Sequence, residues 1–132
     1  MINTISIALS GLNAATNKLS ATASNIANVT TGGSLEDSNN APYDALTTTQ
    51  SALDNGGVRN EVVSAGRPFV PSYAPDSPFA NAQGLIGTPN VDLAEEAVNL
   101  SLAEITYKAN ISTLKTADEL TEELLNIFDD EA

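Results

Sequence analysis

The prolines of this 132-residue chain are confined to its middle: all six lie between Pro42 and Pro89. A proline inside a helix removes a backbone hydrogen bond and clashes with the preceding turn, so long helices are favoured only at the two ends. Neither glycine nor proline follows Pro89. We therefore divide the chain into an N-terminal helix segment (1–30), an insert of strands and loops (31–89) and a C-terminal helix segment with an acidic tail (90–132).

The N-terminal segment carries a heptad pattern, which predicts a helix over residues 3–28. Large apolar residues recur every seven positions at Ile5, Leu12, Leu19 and Ile26. Small residues such as Ala8 and Ala15 follow three positions later, as at the second seam position of a coiled coil. One reading is an ordinary amphipathic core helix. We favour an assembly helix, because the middle segment offers little to cover this stripe.

The middle segment contains one strong turn signal, the Asp54-Asn55-Gly56-Gly57 sequence. With the β-branched residues on either side, it predicts a β-hairpin over residues 43–64. Residues 66–78 contain four prolines and predict an extended loop that lies on the surface.

The C-terminal segment predicts a continuous helix over residues 91–128, about 56 Å long. Asn90 or Asp92 can cap its start, with Glu95 in the position that a capping box requires. Its apolar residues form two faces. One face holds Leu93, Ala97, Leu100, Tyr107, Ile111, Leu114 and Leu125, and the other holds Ala94, Val98, Leu102, Ile105 and Ala109. One partner helix covers one face, so two faces predict a second partner.

The composition argues against most kinds of catalytic, metal-binding and nucleic-acid-binding site. Cysteine and histidine are absent, which removes thiolate and imidazole metal ligands and the commonest general base. The net charge of −12 opposes binding to nucleic acid. No secretory signal and no membrane span are predicted. We therefore expect no catalytic residue, no cofactor, no metal and no direct insertion into a membrane. The acidic tail is either a solvated end or a complement to a basic partner surface.

Several motifs, in order along the chain, resemble those of bacterial flagellar rod and hook proteins. They are SGLNA at 10–14, ASNIAN at 23–28, PY at 42–43, YAPDSPFANAQG at 73–84 and PNVD at 89–92. The last motif lies in the C-terminal helix and consists of EAVN at 96–99, Tyr107, AN at 109–110 and Leu114. The stretch from Tyr73 to Asp92 is most similar to the subunits of the proximal rod. Asp44, the threonines at 47–49 and the acidic tail depart from the family pattern.

The resemblance implies a mainly α fold with a small β and loop insert, in which the terminal helices pair as a coiled-coil-like inner layer. It implies a subunit that passes through the flagellar type III apparatus without a cleaved signal peptide. The subunit then polymerises helically into the hollow, torque-transmitting rod of the periplasmic basal body, around the export channel. Implied partners are other copies, other rod proteins, membrane-ring and export-gate components, and an export chaperone.

The expected assembly interface combines the apolar stripes with the asparagine signature. It comprises Ile5, Leu9, Leu12, Leu19, Asn25, Ile26, Asn28, Leu93, Val98, Leu100, Leu102, Ile105, Tyr107, Asn110, Ile111 and Leu114. We expect Asn28 to act near the C-cap of the first helix and Asn25 to bond to the backbone that leaves it.

Two other functions are compatible with parts of the sequence. A subunit of another type III filament or needle would share the paired terminal helices, but it would lack the hairpin and the Tyr73–Asp92 stretch. An enzyme that cleaves peptidoglycan would need two carboxylates about 5–10 Å apart across a cleft. Glu95 and Glu96 are neighbours that point to different sides of a helix, so we disfavour this alternative.

Overall fold

The chain forms two long helices joined by two small hairpins. The structure, a computed structural model, describes residues 2–130, with side chains over residues 3–127. The elements are α1 (Ile2–Asn28), a short 3-10 turn (Ser38–Asn40), β1 (Leu46–Ala52), β2 (Val58–Ser64), β3 (Val70–Tyr73), β4 (Leu85–Thr88) and α2 (Leu93–Asp130). About half of the chain is helical, which confirms the mainly α class with a small β insert.

Helices α1 and α2 lie antiparallel, and small residues let them approach closely. Asn25 meets Glu96 near one end of the seam, and a Cβ on Gly11 would come within 2.4 Å of the Asn110 side chain near the middle. The buried apolar residues are nearly all alanines: Ala8, Leu12, Ala14, Ala15, Ala21, Ala45, Ala103 and Ala117. The helices therefore pair, while the knobs-into-holes packing of a coiled coil stays a prediction.

The predicted hairpin is confirmed as β1 and β2, with Leu46 opposite Ser64 and Ala52 opposite Val58. It lies along a second face of α1, where the Val58 amide donates to the Ser10 hydroxyl at 3.1 Å. A Cβ on Gly57 would stand 2.6 Å from that hydroxyl, and the φ of Gly57 is +87°. Glycine is thus required here both by the turn and by the helix beneath it.

The extended loop predicted over residues 66–78 is interrupted by β3, which pairs with β4 in a second hairpin. Pro71 lies opposite Gly87, and the N–H and C=O of Gly87 bond to Gly33 on the other side. A residue at position 71 therefore needs no backbone N–H donor toward β4. Proline, which lacks that N–H, fits within the strand. The prediction of a loop from the proline content was wrong for the four residues of β3.

Helix α2 begins as predicted and runs past the start of α1. The Asp92 carboxylate accepts from the amides of Ala94 and Glu95, so Asp92 is the N-cap. Ile5, near the start of α1, and Leu114 of α2 line the same cleft. Because only about one helical turn of α1 precedes Ile5, the contact between the two helices ends about one turn beyond Leu114. We call residues 118–127 the overhang; the last residues of the predicted acidic tail lie outside the described side chains. No helix within residues 2–130 is long and apolar enough to cross a membrane.

Candidate assembly surface

One buried asparagine links three elements of the fold. The Asn25 side chain is 2 % exposed, and its Nδ2 donates to Glu96 Oε1 at 2.6 Å and to the Leu46 carbonyl at 2.8 Å. Its Oδ1 accepts from the Leu46 amide at 2.8 Å and from the Tyr43 hydroxyl at 3.0 Å. We call these four residues the Asn25 junction. It joins α1 to α2 and to the base of the first hairpin.

The junction needs an amide side chain at position 25. Only an amide offers two N–H donors and a carbonyl acceptor from the same small group. Glu96 is itself buried, and a buried carboxylate requires such donors. Burial raises the pKa of Tyr43, whose hydroxyl donates to Asn25 Oδ1.

Asn28 closes the C-terminal end of α1. Its Nδ2 donates to the Ser24 carbonyl at 2.9 Å, and its Oδ1 accepts from the Thr31 hydroxyl at 3.3 Å. These bonds confirm the expected place of Asn28 near the C-cap. Asn25 was expected to bond to the backbone that leaves α1. It bonds instead to the backbone of Leu46, where the chain comes back to α1 after the first loop.

The first apolar face of α2 meets α1 at the seam, although it is not fully covered. Leu19 of α1 and Leu100 and Tyr107 of α2 line an open cleft of about 350 Å³, whose floor is Ala15 and Ala103. The three large side chains keep more than a third of their surface exposed. A further apolar group could therefore enter this cleft.

The second apolar face of α2 is left largely exposed by the described side chains of residues 3–127. Val98 is 60 % exposed, Leu102 48 % and Ile105 64 %. With the exposed Ala94 and Ala109 they form what we call the outer stripe. The stripe lies on the side of α2 away from the seam, and no strand of either hairpin packs on α2.

Comparison with known proteins agrees with this two-helix design. Residues 5–33 match the flagella basal body rod protein family, and residues 82–127 match the C-terminal family of the flagellar basal body rod FlgEFG proteins. The chain is 32 % identical to the flagellar basal-body rod protein FlgC of Yersinia enterocolitica, over 91 % of this chain and 92 % of that protein. The FlgC proteins of Salmonella typhimurium and of Buchnera aphidicola from Acyrthosiphon pisum are also 32 % identical, the latter over 96 % of this chain and 97 % of its own length.

The chain belongs to the FlgC family of flagellar basal-body rod proteins.

The two segments that match the rod families contain most of α1 and of α2, and the second also includes β4. In this chain the fold brings Asn25 of the first segment to Glu96 of the second. Sequence reasoning placed Glu96 in a family motif but missed it as the partner of Asn25. The signal available in the sequence was an asparagine on the buried side of a heptad pattern. A buried amide requires polar hydrogen-bond partners.

The residues predicted at the interface of this FlgC-family chain occupy different environments. Leu12 and Asn25 are buried within the chain. Asn28, Asn110, Ile111 and Leu114 are half-buried, while Ile5, Leu9, Leu19, Ile26, Leu93, Val98, Leu100, Leu102, Ile105 and Tyr107 are exposed. Their role in assembly stays a prediction. Among residues 3–127, no three His, Cys, Asp or Glu side chains are grouped to hold a metal ion.

Proposed function

We propose that this FlgC-family rod subunit polymerises helically into the proximal part of the flagellar rod, as a hollow shaft that transmits torque and surrounds the export channel. The observation that carries the proposal is the outer stripe. It exposes Val98, Leu102 and Ile105 on a helix whose seam face already has a partner. A subunit that leaves a whole apolar face of a long helix uncovered is built to be covered by other subunits.

The geometry of the faces favours an open polymer. The outer stripe and the seam cleft lie on different sides of α2, so they would contact different neighbours. Contacts between unlike surfaces give a helical filament when the rotation does not close into a ring. We place α1 and α2 in the inner layer around the channel and the two hairpins outside, because the first hairpin packs on α1 and no strand of either hairpin covers α2.

The alanine-rich core fits export before assembly. Leu12 is the only large member of the buried apolar set among the described side chains, and alanine contributes little burial energy. Such a chain unfolds readily, as passage through a type III apparatus would require, and gains stability from neighbours afterwards. We propose other copies, other rod proteins and ring or export-gate components as neighbours, with an export chaperone before assembly. We propose no catalytic role.

Deleting the gene should leave membrane-embedded rings that carry no continuous rod, and the cells should not swim. The full chain supplied in trans should restore both rod and motility. The check is electron microscopy of purified basal bodies, with mass spectrometry of their subunits. Complete rods without the chain, or complemented rods that do not contain it, would contradict the proposal.

A further inference from the structure

The overhang presents apolar surface that the chain itself does not cover. Every side chain from residue 122 to residue 127 is exposed. Leu120, Leu124 and Ile127 keep between 42 % and 54 % of their surface exposed and fall within about 60° of one another on a regular helix. Leu124 lies seven residues after Ala117 and, with Leu125 beside it, continues the α2 face that packs on α1, whereas Leu120 and Ile127 lie 18 residues after Leu102 and Ala109 and continue the line of the outer stripe. The overhang therefore carries the end of the α1–α2 seam, at Leu124 and Leu125, to a place where α1 is absent.

Acidic side chains border this apolar surface on both sides. Viewed along the helix axis, Glu123 lies next to Ile127 at one edge of the apolar surface. Asp118 lies next to Leu125 at the opposite edge. Glu119 and Glu122 complete the acidic half of the overhang, and no lysine or arginine occurs after Lys115. Like charges four residues apart, as in Asp118 with Glu122 and Glu119 with Glu123, destabilise an isolated helix. The last turn of α2 also lacks the basic residues that would complement the negative end of the helix.

A second copy of this chain offers a poor complement. It contains five basic residues against seventeen acidic ones. Arg67 is already paired with Glu95, and Lys108 with Glu104. Lys18, the one basic residue of α1, lines a cleft with Glu95 and Glu96. Neither helix within residues 2–130 has an apolar stripe with basic residues on both sides, so docking of one copy's overhang on another would bring acid against acid.

We propose that the overhang docks on a helix of a different basal-body protein, one whose apolar stripe is bordered by lysine and arginine. That helix would continue the line of α1 along α2, with its apolar side chains on Leu124 and Leu125 and its basic side chains on the acidic borders. The proposal rests on the proposed function and specifies which kind of neighbour meets this end of the subunit. The outer stripe and the seam cleft remain the surfaces for other copies.

Photo-crosslinking in intact basal bodies tests this contact. A benzophenone amino acid replaces Leu124 in the full chain, with a second variant at Leu125 in case the first is not incorporated into rods. We expect an adduct with a different protein, joined to a peptide rich in lysine and arginine. Reversing the border charges with Asp118→Lys and Glu123→Lys should lower the adduct yield about tenfold, because each reversal turns an attraction into a repulsion. The matched control reverses the exposed Asp44 and Asp76 to lysine and should leave the yield unchanged.

Each alternative occupant gives a distinct outcome. An adduct between two copies, an adduct with a chaperone found only in the cytoplasm, or no adduct from rods that contain the probe would each overturn the proposal. A chain that is absent from the rods of complemented cells would instead contradict the proposed function. The two failures are therefore distinguished by the subunit composition of the same preparation.

Discussion

Replacing Asn25 with aspartate should lower the free energy of unfolding of the chain by about 3–5 kcal/mol, the usual cost of breaking a buried charged contact. Aspartate would place a second carboxylate where Asn25 Nδ2 now lies 2.6 Å from Glu96 Oε1. It would also leave the Leu46 carbonyl without its donor. A loss of this size is comparable to the whole stability of a small domain. Urea unfolding followed by circular dichroism measures it.

Two further variants separate the junction from a general effect of charge. Asn13→Asp makes the same change at an exposed position of α1 and should alter the free energy of unfolding by no more than about 0.5 kcal/mol. Glu96→Gln removes the charge beside position 25. It should therefore recover part of the loss when combined with Asn25→Asp, as a double-mutant cycle would report. Equal losses for Asn25→Asp and Asn13→Asp would show that the junction does not stabilise the fold.

Leu102→Asp should abolish motility while leaving the isolated chain folded. Leu102 lies in the middle of the outer stripe and is exposed in the single subunit, so the free energy of unfolding should change by about 0.5 kcal/mol or less. In a polymer the same carboxylate would be buried without a partner, which costs several kcal/mol at every repeated interface. The measurements are urea unfolding of the purified variant and the yield of rods in a complemented deletion strain.

The control for this variant is Asn13→Asp. Asn13 is exposed and lies on α1, away from the outer stripe of α2. It adds the same charge to the chain elsewhere, and rods should form. Normal rods with Leu102→Asp would contradict the assignment of the outer stripe to an interface between subunits.

The sequence was sufficient to predict the helices and the first hairpin, because each depends on local patterns. The heptad of Ile5, Leu12, Leu19 and Ile26 predicted α1 to within one residue of its observed start. The absence of breakers after Pro89 and the Asp92 cap predicted α2, and the Asn55-Gly56 turn predicted the pairing of β1 with β2. These features use backbone preferences that neighbouring residues determine.

The remaining features depend on contacts between residues distant in sequence. The second hairpin forms because Gly87 uses its backbone groups on Gly33, which leaves the opposite strand free to contain Pro71. The Asn25 junction unites residues from positions 25, 43, 46 and 96, and no local pattern pairs them. The interface residues could be proposed from their apolar spacing, but burial by a neighbouring subunit is a property of the assembly.

A density map of the intact basal body at side-chain resolution tests the central claim most directly. The account predicts that the chain lies in the proximal rod, with α1 and α2 in the inner wall. It also predicts that Val98, Leu102 and Ile105 are buried against a neighbouring subunit. A map in which the chain occupies the rod but the outer stripe faces solvent would contradict the account, as would a complete proximal rod built without this chain.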